Sequence, residues 1–442
     1  MASARVTFLA TALLAAPLAA HAAPVLMISI DGLRPGDVLE ADQRGLRIPT
    51  LRKLAADGMT ASGVKNALPT VTYPNHTTLI TGVWPAKHGI PNNPVFDPLQ
   101  QNMGGWYWYA HDIKVKTLWD AVHESGGKVA SLSWPVSVDS GAIDYNVPEY
   151  WRVPALHDED IKLVRALVTP GLAAQLEKAS GLKLIEADGE TVEEDVGRTR
   201  FAASLIALKH PQLITVHLRG LDHVEHMSGP GSTEAHAALE TLDNAIGKLI
   251  ADARKAQPDL VVAIVSDHGF APVEHEVNLI APFVQAGLIT LEGAKVKSWQ
   301  AEPWGGASAA VMLANPSDAA LKQKTGALLN NLAARPELGI AHVAEANEIT
   351  QMGGTPMASF WVDFKPGYVM GTDPTKPMVG PGSVKGTHGY FPTHPEMRAT
   401  FILSGPGVSK KSLGEIDMRD VAPTLAKVIK VALPQADGKS LY

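Results

Sequence analysis

Short apolar runs alternate with helix-like stretches along most of the chain. The runs VLMISI, KVASLSW, LITVHL, LVVAIVS and ATFILSG have the length and composition of buried strands. Between them lie stretches whose apolar residues recur at helical spacing, such as Thr233 to Lys255. Apolar strands that alternate with helices predict an α/β fold, in which a doubly wound, mostly parallel sheet carries helices on both faces.

The alternation breaks between about residue 270 and residue 385, a part of the chain that is rich in proline and glycine. We expect a smaller α+β insertion or cap there. The strand and helix pattern resumes with ATFILSG and the helical stretch that follows it. The sequence therefore predicts one large domain, residues 24–442, that contains this insertion.

The N-terminal segment MASARVTFLATALLAAPLAAHAAPV has the pattern of a cleavable signal. It combines the early cation Arg5, an apolar run from Val6 to Ala20 and small residues near Ala23. The alternative is a membrane anchor, but the run is short for a span of about 20 residues. We expect residues 1–23 to be a signal peptide, the protein to be secreted or periplasmic, and no membrane span to remain after cleavage.

Composition narrows the function classes. Of the 442 residues, 45% are hydrophobic and 19% are charged, which is too polar for a protein of many membrane spans. The net charge of -7 gives no reason to expect binding to a nucleic-acid duplex, because phosphate backbones attract basic surfaces. The chain contains no cysteine, so disulfides, thiolate nucleophiles and thiolate metal ligands are excluded. The oligomeric state is left open.

Acidic and histidine residues follow the predicted strands. In an open α/β sheet, ligands bind at the carboxyl ends of the strands, so these positions are candidates for a site. The residues are Asp31, Asp222, His226, Asp267 and His268, with His388 in the glycine-flanked loop GTHGY before the last strand. Carboxylates gathered at one edge repel one another unless a cation offsets the repulsion. Mixed aspartate and histidine ligands suit two zinc ions better than manganese, which prefers more oxygen ligands.

The stretch PTVTYPNHTTLITG, residues 69–82, carries five threonines. Pro69 and Pro74 favour an extended chain or a first helical turn, and a short helix is expected to end near Gly82. Thr72 then lies at a helix N-terminus, where backbone N–H groups favour a phosphate. A hydroxyl beside a metal loses its proton more easily and becomes a nucleophile. The other four are expected to cap and pack: Thr70, Thr77, Thr78 and Thr81.

Several motifs in order along the chain resemble one family. TYPNHTTLITG, HGIPNN, DHVEHMSGP, SDHG and THGY are similar to the motifs of the nucleotide pyrophosphatase/phosphodiesterase family of the alkaline phosphatase superfamily. The resemblance runs from Asp31 to the DVAPTLAKVI and DGKSL segments near the end. It implies an alkaline phosphatase-like catalytic domain and an enzyme with two zinc ions. The expected substrate is a small-molecule nucleotide or another phosphodiester, cleaved through a covalent threonine intermediate.

The resemblance also implies roles for individual residues. One zinc would be held by Asp31, Thr72, Asp267 and His268, and the other by Asp222, His226 and His388. Thr72 matches the nucleophile, and Asn93 matches the residue that hydrogen-bonds a non-bridging phosphoryl oxygen. Tyr73 and Tyr150 match positions where members of the family sandwich a nucleobase.

Alternatives remain at the level of the substrate. The segment HLRGLD, which ends in Asp222, lacks the aromatic and acidic residues that are expected for the family just before this carboxylate. A phosphomonoesterase or phosphonate hydrolase of the same superfamily would use an added cation, for which Arg152 and Arg219 are candidates. A sulfatase is disfavoured because the chain has neither cysteine nor a Ser-x-Pro-x-Arg motif. The other alternative is a metal-bearing binding protein without catalysis.

Overall fold

The computed structural model of the protein describes residues 22–102, 105–152, 157–371, 373 and 375–442. The predicted signal peptide lies almost wholly outside the described residues and stays a prediction. Among the described residues, no helix is both long and apolar enough to cross a membrane.

The strands and α-helices, numbered in chain order, have the following bounds. The strands are β1 Val25–Ile30, β2 Met59–Thr60, β3 Gly63–Lys65, β4 Val129–Leu132, β5 Tyr145–Val147, β6 Leu213–Leu218, β7 Val261–Val265, β8 Ala271–Asn278, β9 Ile289–Glu292, β10 Lys295–Trp299, β11 Ala301–Gly305, β12 Ala309–Leu313, β13 Ile340–Glu345, β14 Ala358–Phe364, β15 Gly367–Gly371, β16 Val379–Pro381, β17 Gly386–Thr387, β18 Phe401–Ser404, β19 Lys411–Ser412 and β20 Glu415–Asp417. The helices are α1 Pro35–Leu39, α2 Pro49–Asp57, α3 Thr72–Thr81, α4 Pro85–His88, α5 Leu118–Glu124, α6 His157–Leu167, α7 Leu172–Ser180, α8 Val192–Lys209, α9 Gly220–Ser228, α10 Thr233–Ala256, α11 Ile280–Gln285, α12 Ala319–Ala333, α13 Ala346–Gln351 and α14 Val421–Ile429.

A central sheet of eight strands organises the fold, in the order β19-β2-β18-β7-β1-β6-β4-β5. The five strands from β7 to β5 in this order run parallel to one another, and β18 runs antiparallel to β7. Helices cover both faces of the sheet. The predicted doubly wound, mostly parallel α/β fold is therefore confirmed.

The central strand β1 shows why these runs are mainly apolar on both faces. Side chains alternate between the two faces of a strand, and both faces of this sheet are buried. Ile28 and Ile30 pack into the core that helices α8 and α10 cover. Val25 and Met27 pack into the core that helices α5 and α14 cover. The polar residues that end the strand are thereby left to face the sheet edge.

Residues 271–381 form smaller sheets with their own apolar core. Strands β11, β12, β14 and β13 make a four-stranded antiparallel sheet, and β8 pairs with β15, β16 and β17. Phe283, Val311 and Phe360 belong to the core of this part. These elements occupy the segment in which the sequence departs from the alternation of apolar strands and helices.

Candidate metal centre and active site

Three adjacent strands of the central sheet bring acidic and histidine residues to one edge. Asp31 follows β1, and Asp267 and His268 follow β7. Helix α9 begins just after β6 and carries Asp222 and His226, which share one helix face because they are four residues apart. Since β6, β1 and β7 are neighbours, these five residues lie where open α/β sheets bind ligands.

The side chains form two overlapping groups of potential metal ligands. The ligating atoms of Asp31, Asp267 and His268, the first ligand group, lie within 4.8 Å of one another. Those of Asp222, His268 and His388, the second ligand group, do so as well. His226 lies beside the second group, with Nε2 3.4 Å from Asp222 Oδ2. His268 connects the groups, and its ring stacks on that of His388 with centroids 3.5 Å apart.

The arrangement leaves buried polar atoms without partners. Asp31 Oδ1, Asp222 Oδ1, Asp267 Oδ2 and His268 Nε2 are closed off from solvent and make no well-formed hydrogen bond. Buried polar atoms in native proteins nearly always have a partner, and each exception calls for an explanation such as an ion. Carboxylate oxygens and imidazole nitrogens are the atoms with which zinc is bound in proteins without thiolates. The residues present therefore fit a metal site.

The pKa shifts in the first ligand group also favour a bound cation. Burial and the neighbouring carboxylates of Asp267 and Asp222 raise the pKa of Asp31 well above its usual value. Burial also acts to raise the pKa of Asp267, but His268 and His76 outweigh it and hold that pKa well below the usual value. Carboxylates this close together are stabilised as anions by a nearby cation.

Thr72 lies beside these groups as the first residue of helix α3. Its carbonyl oxygen is 2.9 Å from Nδ1 of His76, one turn along the helix. The same nitrogen is 3.6 Å from Oδ2 of Asp267, so the His76 ring connects the start of the helix to the first ligand group. Asn93 reaches the same place, because its Oδ1 accepts a 2.8 Å hydrogen bond from the Tyr73 N–H. As predicted, the helix ends at Gly82, where φ is 71°.

Thr70 fastens the loop that carries His388. Its hydroxyl donates to the Tyr390 carbonyl at 2.8 Å and accepts from the Gly389 N–H at 3.1 Å. Its carbonyl oxygen is 3.1 Å from Nδ1 of His388. A hydrogen bond at Nδ1 leaves Nε2 of that ring free to bind a metal and fixes the ring orientation.

A series of buried side chains contacts Asp31, and it was not predicted from the sequence. Nε2 of His217 is 3.0 Å from Asp31 Oδ2, and its Nδ1 is 3.1 Å from Glu149 Oε2. The Tyr73 hydroxyl donates to the other Glu149 oxygen at 2.6 Å. The available signal was a histidine inside the otherwise apolar strand LITVHL. Such groups orient a ligating carboxylate, and their loss commonly weakens metal binding.

The structure places Tyr73 in the interior rather than on an open surface. The residue is fully buried, with its ring edge-on to Trp106 and Trp108 and its hydroxyl on Glu149. A ring enclosed in this way has no free face for a nucleobase. In this conformation Tyr73 packs in the interior next to the site. This position differs from the base-stacking role that the family resemblance implies.

Tyr150 is half-buried and borders a cavity of about 280 Å³ that Trp151 and Arg219 also line. Arg219 lies 3.6 Å from Glu149 and 3.7 Å from Asp188. The other candidate cation, Arg152, is 2.6 Å from Asp160, measured from Nε to Oδ1. Both arginines therefore already have carboxylate partners.

A doubly wound sheet with this cluster at its carboxyl edge agrees with the alkaline phosphatase-like fold that the motifs imply. Residues 25–391 match the sequence profile of the type I phosphodiesterase / nucleotide pyrophosphatase family. Since the match covers most of its length, the chain belongs to that family.

Curated relatives are identical to this chain at about a quarter of the aligned positions. An uncharacterized pyrophosphatase/phosphodiesterase of Schizosaccharomyces pombe is 28% identical over 256 residues, which cover 56% of this chain and 45% of the relative. Ectonucleotide pyrophosphatase/phosphodiesterase family member 3 of Mus musculus is 25% identical over 258 residues, covering 56% of this chain and 25% of the relative. The match thus spans less than half the length of these relatives.

Solved structures share the fold over nearly the whole chain. Murine ectonucleotide pyrophosphatase/phosphodiesterase 5, as an inactive variant in complex with AMP, superposes with a TM-score of 0.65 at 18% identity. The superposition covers 94% of this chain and 97% of the murine chain. The human protein of the same name gives a TM-score of 0.62 at 19% identity.

Proposed function

We propose that the protein is a two-zinc hydrolase that cleaves phosphodiester or pyrophosphate bonds of nucleotides through a covalent intermediate on Thr72. One observation carries this proposal: the His76 ring connects the start of helix α3 to Asp267, beside the two ligand groups. The contact is made through the backbone carbonyl of Thr72, and a hydroxyl on a residue this near to a two-metal site suits in-line displacement at phosphorus.

The proposed catalytic domain is residues 24–442, with the insertion at roughly residues 270–385. We assign one zinc to Asp31, Thr72, Asp267 and His268, and the other to Asp222, His226 and His388. Both sets offer only nitrogen and oxygen donors, which zinc accepts at three or four positions. The signal pattern of residues 1–23 supports export, to the periplasm or the medium.

In the proposed mechanism, Thr72 attacks phosphorus and Asn93 hydrogen-bonds a phosphoryl oxygen. When bound, the zinc ions lower the pKa of an attacking hydroxyl and neutralise charge on the phosphoryl oxygens. Thr72 Oγ gives its proton to solvent and forms a bond to phosphorus, while the bond from phosphorus to the leaving oxygen breaks and that oxygen takes a proton from solvent. Water then attacks phosphorus and releases Thr72. The amide of Asn93 and the Thr72 N–H are suited to hydrogen-bond the phosphoryl oxygens, whereas the Tyr73 N–H already donates to Asn93.

Nucleotide substrates are favoured by the names of the relatives and by the AMP bound to the murine structure. A diester is favoured over a monoester by the charge distribution of the chain. Monoesterases of this kind need a cation for the additional phosphoryl charge, and both candidates, Arg152 and Arg219, are engaged by carboxylates.

Comparing bis-p-nitrophenyl phosphate with p-nitrophenyl phosphate tests the assignment. The zinc-loaded protein is expected to have a clearly higher kcat/KM for the diester. A strong preference for the monoester would identify a phosphomonoesterase instead. If neither ester nor a nucleotide diester is hydrolysed while two zinc ions are bound, the protein is a binding protein without catalysis.

Replacing Asn93 with aspartate is expected to lower kcat for the diester about 100-fold. The substitution keeps the Oδ1 atom that accepts from the Tyr73 N–H and removes the amide donor. Loss of one donor to transition-state oxygens typically costs this much. Steady-state kinetics with bis-p-nitrophenyl phosphate provide the measurement, and circular dichroism checks that the fold is kept. Wild-type kcat in Asn93→Asp would remove Asn93 from the site.

Replacing Thr70 with valine is expected to weaken zinc binding about 10- to 100-fold, which is typical for groups that orient a metal ligand. The change removes both hydroxyl hydrogen bonds to the loop of His388. Competition with a zinc-chelating dye measures the affinity. Thr70→Ser should restore it, and Thr81→Val is the matched control, since the Thr81 hydroxyl bonds only within its helix and its turn. Equal affinities of Thr70→Val and wild type would contradict this role.

A further inference from the structure

A second cavity, of about 340 Å³, lies on the side of the smaller sheets. The loop after Asn93 forms one wall, through Pro94 and Phe96, and strand β11 forms another, through Glu302 and Trp304. Most of the lining is apolar, with Ile280 and Val296 among the other residues. A volume of this size accommodates a small organic molecule.

Glu302 is the exceptional residue in this cavity. It is only 7% exposed, and its Oε2 is closed off from solvent without any hydrogen-bond partner. Within the described part of the chain, no lysine, arginine or histidine forms an ion pair with it. Burial raises the pKa of Glu302 to about 8. An unpaired carboxyl in an apolar cavity is costly for the fold, and functional sites are a common reason to retain one.

The other walls suit a positive charge. The Phe96 ring lies 5.4 Å from the Trp304 ring and 5.3 Å from the Trp299 ring, measured between centroids. Phe96 thus packs against both tryptophans, and Phe96 and Trp304 line the cavity, where aromatic rings can attract an ammonium group. Asp97 also lines the cavity, where its carboxylate accepts from the Gln101 and Asn102 N–H groups, and none of the described lining residues is basic. A metal ion is disfavoured, because hard cations need several oxygen ligands and this cavity is mainly apolar.

We propose that this cavity binds a small organic cation, an alkylammonium or quaternary ammonium group, with Glu302 as its counter-ion and the rings of Phe96 and Trp304 as walls. The cation favours loss of the Glu302 proton to solvent and then pairs with the carboxylate, while its carbon substituents contact the apolar lining. The site is separate from the two ligand groups and does not depend on the proposed hydrolysis.

Choline and its uncharged carbon isostere, 3,3-dimethylbutan-1-ol, provide the test, because they differ chiefly in charge. Binding to the full-length protein is measured by titration calorimetry and by tryptophan fluorescence. Wild type is expected to bind choline at least about tenfold more tightly than the isostere, and Glu302→Gln is expected to lose that preference. Glu292→Gln is the matched control, since Glu292 is exposed and pairs with Lys297; it should bind choline as wild type does.

Equal binding of choline to wild type and Glu302→Gln, no choline binding to wild type, or equal binding of both compounds would overturn the proposal. Glu302→Gln removes a charge without changing side-chain size, so it is expected to fold. Should it not fold, Trp304→Leu replaces it in the test and is expected to weaken choline binding at least about threefold. Turnover of bis-p-nitrophenyl phosphate should be unchanged in Glu302→Gln, which separates this result from any failure of the proposed hydrolase activity.

Discussion

Replacing Thr72 with alanine is expected to lower kcat for bis-p-nitrophenyl phosphate at least about a thousandfold, while the zinc content stays near two per chain. The magnitude follows from losing the nucleophile, which elsewhere costs more than most other single changes in an active site. The fold should tolerate the change. Among the described residues, the Thr72 hydroxyl makes no hydrogen bond, and alanine is a good helix former at the start of α3.

Thr81→Ala is the control for Thr72→Ala because it removes a hydroxyl from the same helix. The Thr81 hydroxyl donates to the Thr77 carbonyl at 2.7 Å, so its loss should lower stability by about 1 kcal/mol and leave kcat unchanged. Thr72→Ser retains a hydroxyl and is expected to keep part of the activity. Full activity of Thr72→Ala with two bound zinc ions would show that another group attacks phosphorus.

Replacing Asp267 with asparagine is expected to reduce both zinc content and activity, each by a large factor. Oδ1 of Asp267 accepts from the Gly32 N–H at 3.3 Å, a bond that asparagine can keep, while its buried Oδ2 has no hydrogen-bond partner. The change therefore removes the negative charge at the centre of the first ligand group and preserves the shape. Zinc affinity should fall at least about 100-fold. Replacing a residue that only orients a metal ligand lowers the affinity by up to about this factor, and loss of a ligand itself should cost no less.

Elemental analysis after dialysis and the rate of diester hydrolysis are the two readouts for Asp267→Asn. Asp243→Asn is the matched control, because Asp243 is also buried but accepts hydrogen bonds from the Thr50 and Leu51 N–H groups at the start of α2. That variant should lose some stability and keep its zinc. If Asp267→Asn retained two zinc ions and wild-type turnover, Asp267 would not be a metal ligand.

Much of the fold was predictable because each strand of the central sheet is buried on both faces. That burial makes runs such as VLMISI almost wholly apolar, so the polar residues after a run mark the sheet edge. Asp31 and Asp267 could therefore be placed at one edge from the sequence. The helix at Thr72 was predictable for another local reason, since two prolines precede or begin it and Gly82 ends it.

Other features depend on contacts between distant parts of the chain, which no local pattern reveals. Glu149 and His217 are 68 positions apart and meet only because β5, which precedes Glu149, and β6, which carries His217, flank β4 in the same sheet. The inward position of Tyr73 follows from its bond to Glu149 and could not be predicted without that contact. Glu302 gives no signal at all in the sequence, because its lack of a partner is a property of the folded cavity.

The stereochemical course at phosphorus tests the central claim, a covalent intermediate on Thr72, most directly. A p-nitrophenyl ester of thymidine 5′-phosphorothioate, chiral at phosphorus, is hydrolysed by the zinc-loaded protein in oxygen-18 water, and the configuration of the product is determined. Attack by Thr72 followed by attack of water comprises two in-line displacements, so the account predicts net retention of configuration. Net inversion would mean that water attacks phosphorus in a single step, and it would contradict the role proposed for Thr72.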